Sequence, residues 1–181
     1  MPKEPEYLSQ FERLEDERRR LLFDLSQWPT AHLNFRPAPG TWSVVEVLDH
    51  VVRAEAGTIA DVRKGLDIPH ALGSEDRPGI TALRRALLSD NTFQVSAGAG
   101  AIIPDAQTTF AEVINRWEEA RRELRSILET LDPAQLGCGV FQHPFAGWMT
   151  VTDVLDHLSD HLHHHRFQLS RLQASCGALM P

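Results

Sequence analysis

Four segments of this chain carry apolar residues at the 3.6-residue spacing of a helix, and each is far longer than a strand. The first runs from about Glu4 to Gln27, where Leu8, Phe11, Leu14, Leu21, Leu22 and Leu25 share a face that Arg18 interrupts. Trp28-Pro29 closes it, because proline cannot continue a hydrogen-bonded helix. The second opens at Ser43 and continues to about Leu66. In "SVVE" the Ser43 hydroxyl can accept from the first turn while Glu46 reaches back, the two halves of a capping box. The third starts near Thr109 with a second such box, "TFAE", and runs to about Leu131, where Asp132-Pro133 ends it. The fourth opens at Thr150, with Asp153 three positions on. It runs to about Ser175, with Gly177 as its expected C-cap.

Four amphipathic helices in 181 residues predict an all-α fold, a four-helix bundle formed by a single domain over residues 1–181. About forty residues connect the second and third helices. That long connection allows a crossover in place of a simple up-down-up-down order. Within it, Arg77 to Ser89 reads as one short helix and "SAGAGAIIPDAQ" as loop. Strand signals are weak everywhere, and no internal repeat is visible. An apolar fraction of 42% and a charged fraction of 24% are those of an ordinary globular protein. The net charge of -7 argues against nucleic acid as a partner, since phosphate binding needs a basic face. No apolar run approaches the roughly 18 residues of a membrane span, and no signal-type segment stands at the start. The expectation is a cytoplasmic protein with no membrane partner. Two cysteines, Cys138 and Cys176, form neither a CxxC pair nor a disulfide framework.

The fourth helix holds the unusual chemistry. "DVLDHLSDHLHHHRFQL", Asp153 to Leu169, contains five of the chain's nine histidines. On a helical wheel at about 100° per residue, Val151, Val154, Leu155, Leu158, Leu162, Leu169 and Leu172 form one stripe. His165 falls inside it and His161 at its edge. His157 and His164 lie on the flank, and His163 points toward water. Residues four apart are neighbours on one face, so two imidazoles there can share a metal ion, with the third ligand drawn from another helix. An inward histidine is as readily a hydrogen-bonded core residue, and on the wheel alone both readings stand. The spacing argues against a di-iron bundle: that needs Glu-x-x-His on two helices, and "EVLDH" from Glu46 to His50 has one residue too many.

Two stretches resemble the DinB-like (DinB/YfiT) proteins. "FRPAPGTWSVVEVLDHVVRAE", Phe35 to Glu55, resembles the entry and second helix of that family. "HPFAGWMTVTDVLDHLSDHLHHHRFQLSRL", His143 to Leu172, resembles the last helix and the loop before it. The resemblance implies a four-helix bundle with a divalent metal at one side, held by one histidine of the second helix and two of the last. Carried onto this chain, those are His50, His161 and His165, and Gln168 three residues after His165 sets the register. It also implies a metal-dependent enzyme acting on a small molecule, a transferase using a low-molecular-weight thiol or a hydrolase, with a non-catalytic metal-binding or stress-related module as the alternative. In either enzyme the ion would lower the pKa of a bound thiol or water. Zinc or nickel is the favoured ion, and a homodimer is expected.

Several positions sit oddly in these patterns. On the wheel of the second helix, Val44, Leu48, Val51, Glu55, Ile59 and Val62 form the stripe, and His50 lies off its centre on the polar border. Glu55 falls inside the stripe and needs a partner if buried. Arg18 is the candidate, in a structural ion pair; a carboxylate orienting a ligand imidazole is the sharper alternative. Trp42 and Trp148 precede the two histidine-bearing helices and read as aromatics packed on the bundle end. Asp49, Asp156 and Asp160 receive no role.

Overall fold

The computed structural model describes residues 5–74, 76–89 and 102–179. Four long helices make the bundle: α1 (Glu6–Ser26), α3 (Val44–Asp67), α5 (Phe110–Glu129) and α6 (Val151–Leu179). A single-turn α2 (Thr30–Leu33) follows Pro29, and α4 (Asp76–Leu88) occupies the long connection as expected. Of the loop expected over residues 96–107, residues 96–101 lie outside the described chain, as does Glu4. Both full capping boxes form: Ser43 with Glu46, and Thr109 with Glu112. Thr150 and Asp153 cap α6 in the same reciprocal way. Gly177 does not end α6. Its backbone is not left-handed, and the helix runs through it to Leu179.

Around the bundle the neighbours are α1–α5, α5–α3, α3–α6 and α6–α1. The simple order is therefore not adopted. The consecutive helices α1 and α3 face each other across the bundle, as do α5 and α6. The long connection joins helices that are adjacent. A hairpin that the sequence did not announce lies between α5 and α6. Strand β1 (Phe141–His143) pairs antiparallel with β2 (Gly147–Met149), and Gly147 at φ 78° closes the turn. Three-residue strands are too short to show the period-two pattern that marks a strand in sequence. Among the described residues no helix is long and apolar enough to cross a membrane.

The core is divided in two by a layer of charge. One half gathers Phe11, Leu14, Ile59, Leu124 and Leu155; the other gathers Leu21, Leu48, Trp117, Leu162 and Leu169. Between them, three of the four long helices place buried charge: Glu15 and Arg18 on α1, Glu55 on α3 and Arg121 on α5. The expected pair of Glu55 with Arg18 does not form. Glu55 is held instead by Arg121 through Nε and Nη2, and by Trp117 Nε1 at 3.0 Å. Arg18 pairs with Glu15 and with Glu118, both at 2.8 Å, and Glu15 also reaches Arg121 at 3.3 Å. The deduction that Glu55 is buried and ion-paired holds, but its partner comes from the third long helix. Two buried carboxylates and two buried guanidiniums balance. Removing one member of such a pair strands the other and costs about 3–5 kcal/mol.

The hairpin docks on two helical glycines. A Cβ at Gly65 of α3 would stand 1.9 Å from the Val140 carbonyl oxygen, and one at Gly79 of α4 would stand 2.6 Å from that of Ala146. Both contacts are to backbone, which cannot swing aside. Gly65→Ala is therefore expected to destabilise the protein by about 1–3 kcal/mol through overpacking. Gly57→Ala on the same helix meets nothing within 4 Å, and it is expected to be stabilising by about 0.5–1 kcal/mol. Denaturant midpoints of the two variants check this; equal effects would mean that the hairpin does not press on α3.

Candidate metal centre

The first turns of α3 are buried all round, from Val44 to Val52. That explains why the wheel placed His50 on a polar border while the fold leaves it 4% exposed. Its flank is covered by Trp42, whose ring centre lies 5.1 Å away, and by Ile102 from the long connection. Neither cover is readable from the periodicity of α3 itself. His161 and His165 project from α6 toward the same point. Ring centres are 4.9 Å apart for His50 and His165, 5.5 Å for His50 and His161, and 4.7 Å for His161 and His165. One ligand atom from each of the three lies within 4.8 Å of the others.

The outer ring nitrogens of His50 and His165 are committed. The Ile102 carbonyl can only accept, so His50 Nδ1 carries the proton in their 2.7 Å contact, and Nε2 keeps its lone pair. His165 Nδ1 donates to Gln168 Oε1 at 2.9 Å with the same result. Gln168, which set the family register, is thus the residue that orients the last histidine. His165 Nε2 and His161 Nε2 stand 3.1 Å apart. Two nitrogens bound to one tetrahedral zinc would be about 3.3 Å apart, given bonds of about 2.0–2.1 Å. Neutral imidazoles that converge in this way, two of them tethered outward, are a donor set that a divalent ion such as zinc or nickel could take.

Burial keeps these rings neutral. It is the leading cause that holds the His50 imidazole below its ordinary value, with the Ile102 carbonyl pulling the other way. His161 is pushed well down by burial, then by its histidine neighbours, and His165 is lowered by burial to about 3. The flanking histidines face elsewhere. His157 lies beside His143 of the hairpin, ring centres 5.0 Å apart, and both are lowered by burial to about 4. His164 Nδ1 meets the Leu87 carbonyl of α4 at 3.1 Å. His163 is exposed, with its ring on the Phe167 edge. Among the described residues the group that could hold a metal ion is His50, His161 and His165, with His157 and His164 outside it. Glu55, bound to Arg121 and Trp117, touches no imidazole in these contacts, so the sharper reading of it fails. Trp148 stacks on His70 at 4.4 Å, as an end-packing aromatic should, whereas Trp42 lines the cluster. Sequence reasoning missed Ile102 and His143, whose relation to the cluster is set by tertiary packing alone.

The sequence profile of the DinB superfamily matches residues 13–169. The chain belongs to the DinB superfamily. Among solved structures, the crystal structure of TT2238, described as a four-helix bundle protein, is similar at a TM-score of 0.58. Identity is 22%, covering 91% of this chain and 98% of that one, which is a likeness of fold. The search of curated proteins returns no match.

Neutral buried histidines make metal-free stability depend on pH. A folded value of about 4 for His143 and His157 lies below the ordinary 6.5. The unfolded chain therefore binds more protons in that interval, and stability rises with pH across it. The contribution is complete above about pH 6.5 and is lost as pH falls toward about 4. Denaturant midpoints of chelator-treated protein should fall steadily from about pH 7 to about pH 5; a flat profile would mean that these rings are solvated.

Proposed function

We propose that His50, His161 and His165 bind one divalent metal ion and that the protein is a metal-dependent enzyme acting on a small molecule. The observation that carries this reading is the convergence of three neutral imidazoles, two of them with their outer nitrogens tied down. Membership of the DinB superfamily, and a triad at the positions that the family resemblance implied, support it. Three protein ligands and an open position are the pattern of a catalytic site, while a structural site is closed by a fourth. His157 and His164, the nearest candidates for a fourth ligand, are turned to His143 and to the Leu87 carbonyl. That favours the enzyme over a non-catalytic metal module.

A divalent ion held here would supply Lewis acidity, lowering the pKa of a thiol or water bound to it. The chain's own residues supply orientation and shelter. Ile102 and Gln168 hold the ligand rings, and Trp42 closes one side against water. A cleft of about 150 Å³ between α4, β2 and α6 is lined by Leu83, Leu87, Met149, Arg84 and His157. His157 also stacks beside His161, ring centres 6.0 Å apart, so this cleft adjoins the cluster. Its apolar wall suits the body of a small substrate, while its polar rim is acidic on balance, with Arg84 paired to Asp156 and Asp160 and Asp153 beside them. Transfer from a low-molecular-weight thiol and hydrolysis both fit such a site.

Alanine in place of His50 or His165 is expected to lower zinc affinity at least about 100-fold, since each loses one of three ligands. His163→Ala should leave affinity unchanged, and His164→Ala nearly so. Competition against a chromophoric chelator with untagged protein measures this. Equal losses from His163→Ala and His165→Ala, or no stoichiometric uptake by the native protein, would sink the reading.

A further inference from the structure

Asp49, the neighbour of His50 in sequence, is 0% exposed and faces away from the cluster toward the segment that follows α4. Its Oδ2 accepts from the backbone N–H of Asp105 at 2.7 Å and from Arg53 Nε at 2.8 Å. Its Oδ1 lies 2.9 Å from Arg116 Nη2. Arg116 Nη2 also donates to Thr108 Oγ1 at 3.1 Å, and Asp105 accepts from Gln107 N–H and Thr108 N–H within a tight turn. Residues 102–108 thus cross α3 as a strap held at intervals of three: Ile102 on His50, Asp105 on Asp49, Thr108 on Arg116. A buried carboxylate is costly to retain unless its hydrogen bonds secure something. Both arginines are about a third exposed and could pair at the surface. The one contact that requires an acceptor at this depth is the Asp105 N–H.

We propose that Asp49 is a positioning residue of the histidine cluster: by accepting the Asp105 N–H it fixes the strap so that the Ile102 carbonyl meets His50 Nδ1–H. The imidazole is thereby locked in the tautomer whose Nε2 faces His161 and His165. Adjacent residues of α3 grip one strap from two faces of the helix, one by a carboxylate and one by an imidazole. Only the affinity arm of the test rests on the metal reading given above.

The test reads the His50 ring nitrogens by ¹⁵N NMR in metal-free protein, where tautomer and protonation have distinct shifts. The native protein should show His50 with the proton on Nδ1, and slow exchange of the Asp105 amide. Asp49→Asn keeps an acceptor and the side-chain shape and should keep that signature. Asp49→Ala should lose it, giving mixed tautomers, and Asp49→Leu does the same while filling the void, should the alanine variant not fold. In the affinity arm, zinc should bind the leucine variant about tenfold more weakly or worse, the range of an outer-shell loss. An unchanged His50 signature in folded Asp49→Ala or Asp49→Leu would overturn the proposal. So would loss of the signature in Asp49→Asn, or fast exchange of the Asp105 amide in the native protein. If the tautomer shifts as stated while the native protein takes up no zinc, the positioning role stands and the metal reading falls. If the native protein takes up zinc but the tautomer does not shift, the metal reading stands and the positioning role falls.

Discussion

A buried neutral imidazole has one donor and one acceptor, and both need a partner. That constraint organises the functional end of this bundle. His50 and His165 each give their proton to a protein oxygen, Ile102 and Gln168 respectively. Their remaining lone pairs are then directed at each other's neighbourhood, where His161 joins them. Without a metal, His161 Nε2–H can donate to the His165 Nε2 lone pair across 3.1 Å, and a cation could take the place of that proton. The fold thus gathers three imidazoles that could hold a metal ion, and it limits the desolvation cost by keeping the rings neutral.

The rest of the architecture serves that geometry. The Ser43 capping box, reinforced by Arg36 on Glu46 at 2.8 Å, sets where α3 begins and so the direction of His50. The charged layer of Glu15, Arg18, Glu55 and Arg121 fixes the axial register of α1, α3 and α5, since a slip of one turn would separate the pairs. The hairpin, seated on Gly65 and Gly79, brings His143 against His157 and keeps that flank of α6 covered. Each device sets the position of an element that carries or covers an imidazole.

Much of this is legible in the chain. The four helices, their capping residues and the inward aim of His161 and His165 follow from short-range periodicity, and the structure bears them out to within a few residues at each end. The family register points to Gln168, and the hydrogen bond to His165 supplies its physical reason. What escapes is non-local. The wheel of α3 cannot foresee that Trp42 and Ile102 cover its polar border, because Ile102 lies about fifty residues further on. The place of Glu55 in an apolar stripe shows that it needs a partner, but choosing between Arg18 and Arg121 requires the order of helices around the bundle. The hairpin strands are too short to leave a pattern. Gly177 fits the composition of a helix cap, yet the backbone there stays helical.

X-ray absorption at the zinc edge, on metal-free protein reloaded with one equivalent of zinc, is the most direct test of the central claim. It should find three imidazole nitrogens at about 2.0–2.1 Å, with a lighter fourth scatterer from solvent. Loss of one imidazole shell in His50→Ala would tie the ion to α3 as well as α6. A first shell containing sulfur at about 2.3 Å, or one unchanged by His50→Ala, would place the ion elsewhere and contradict the account.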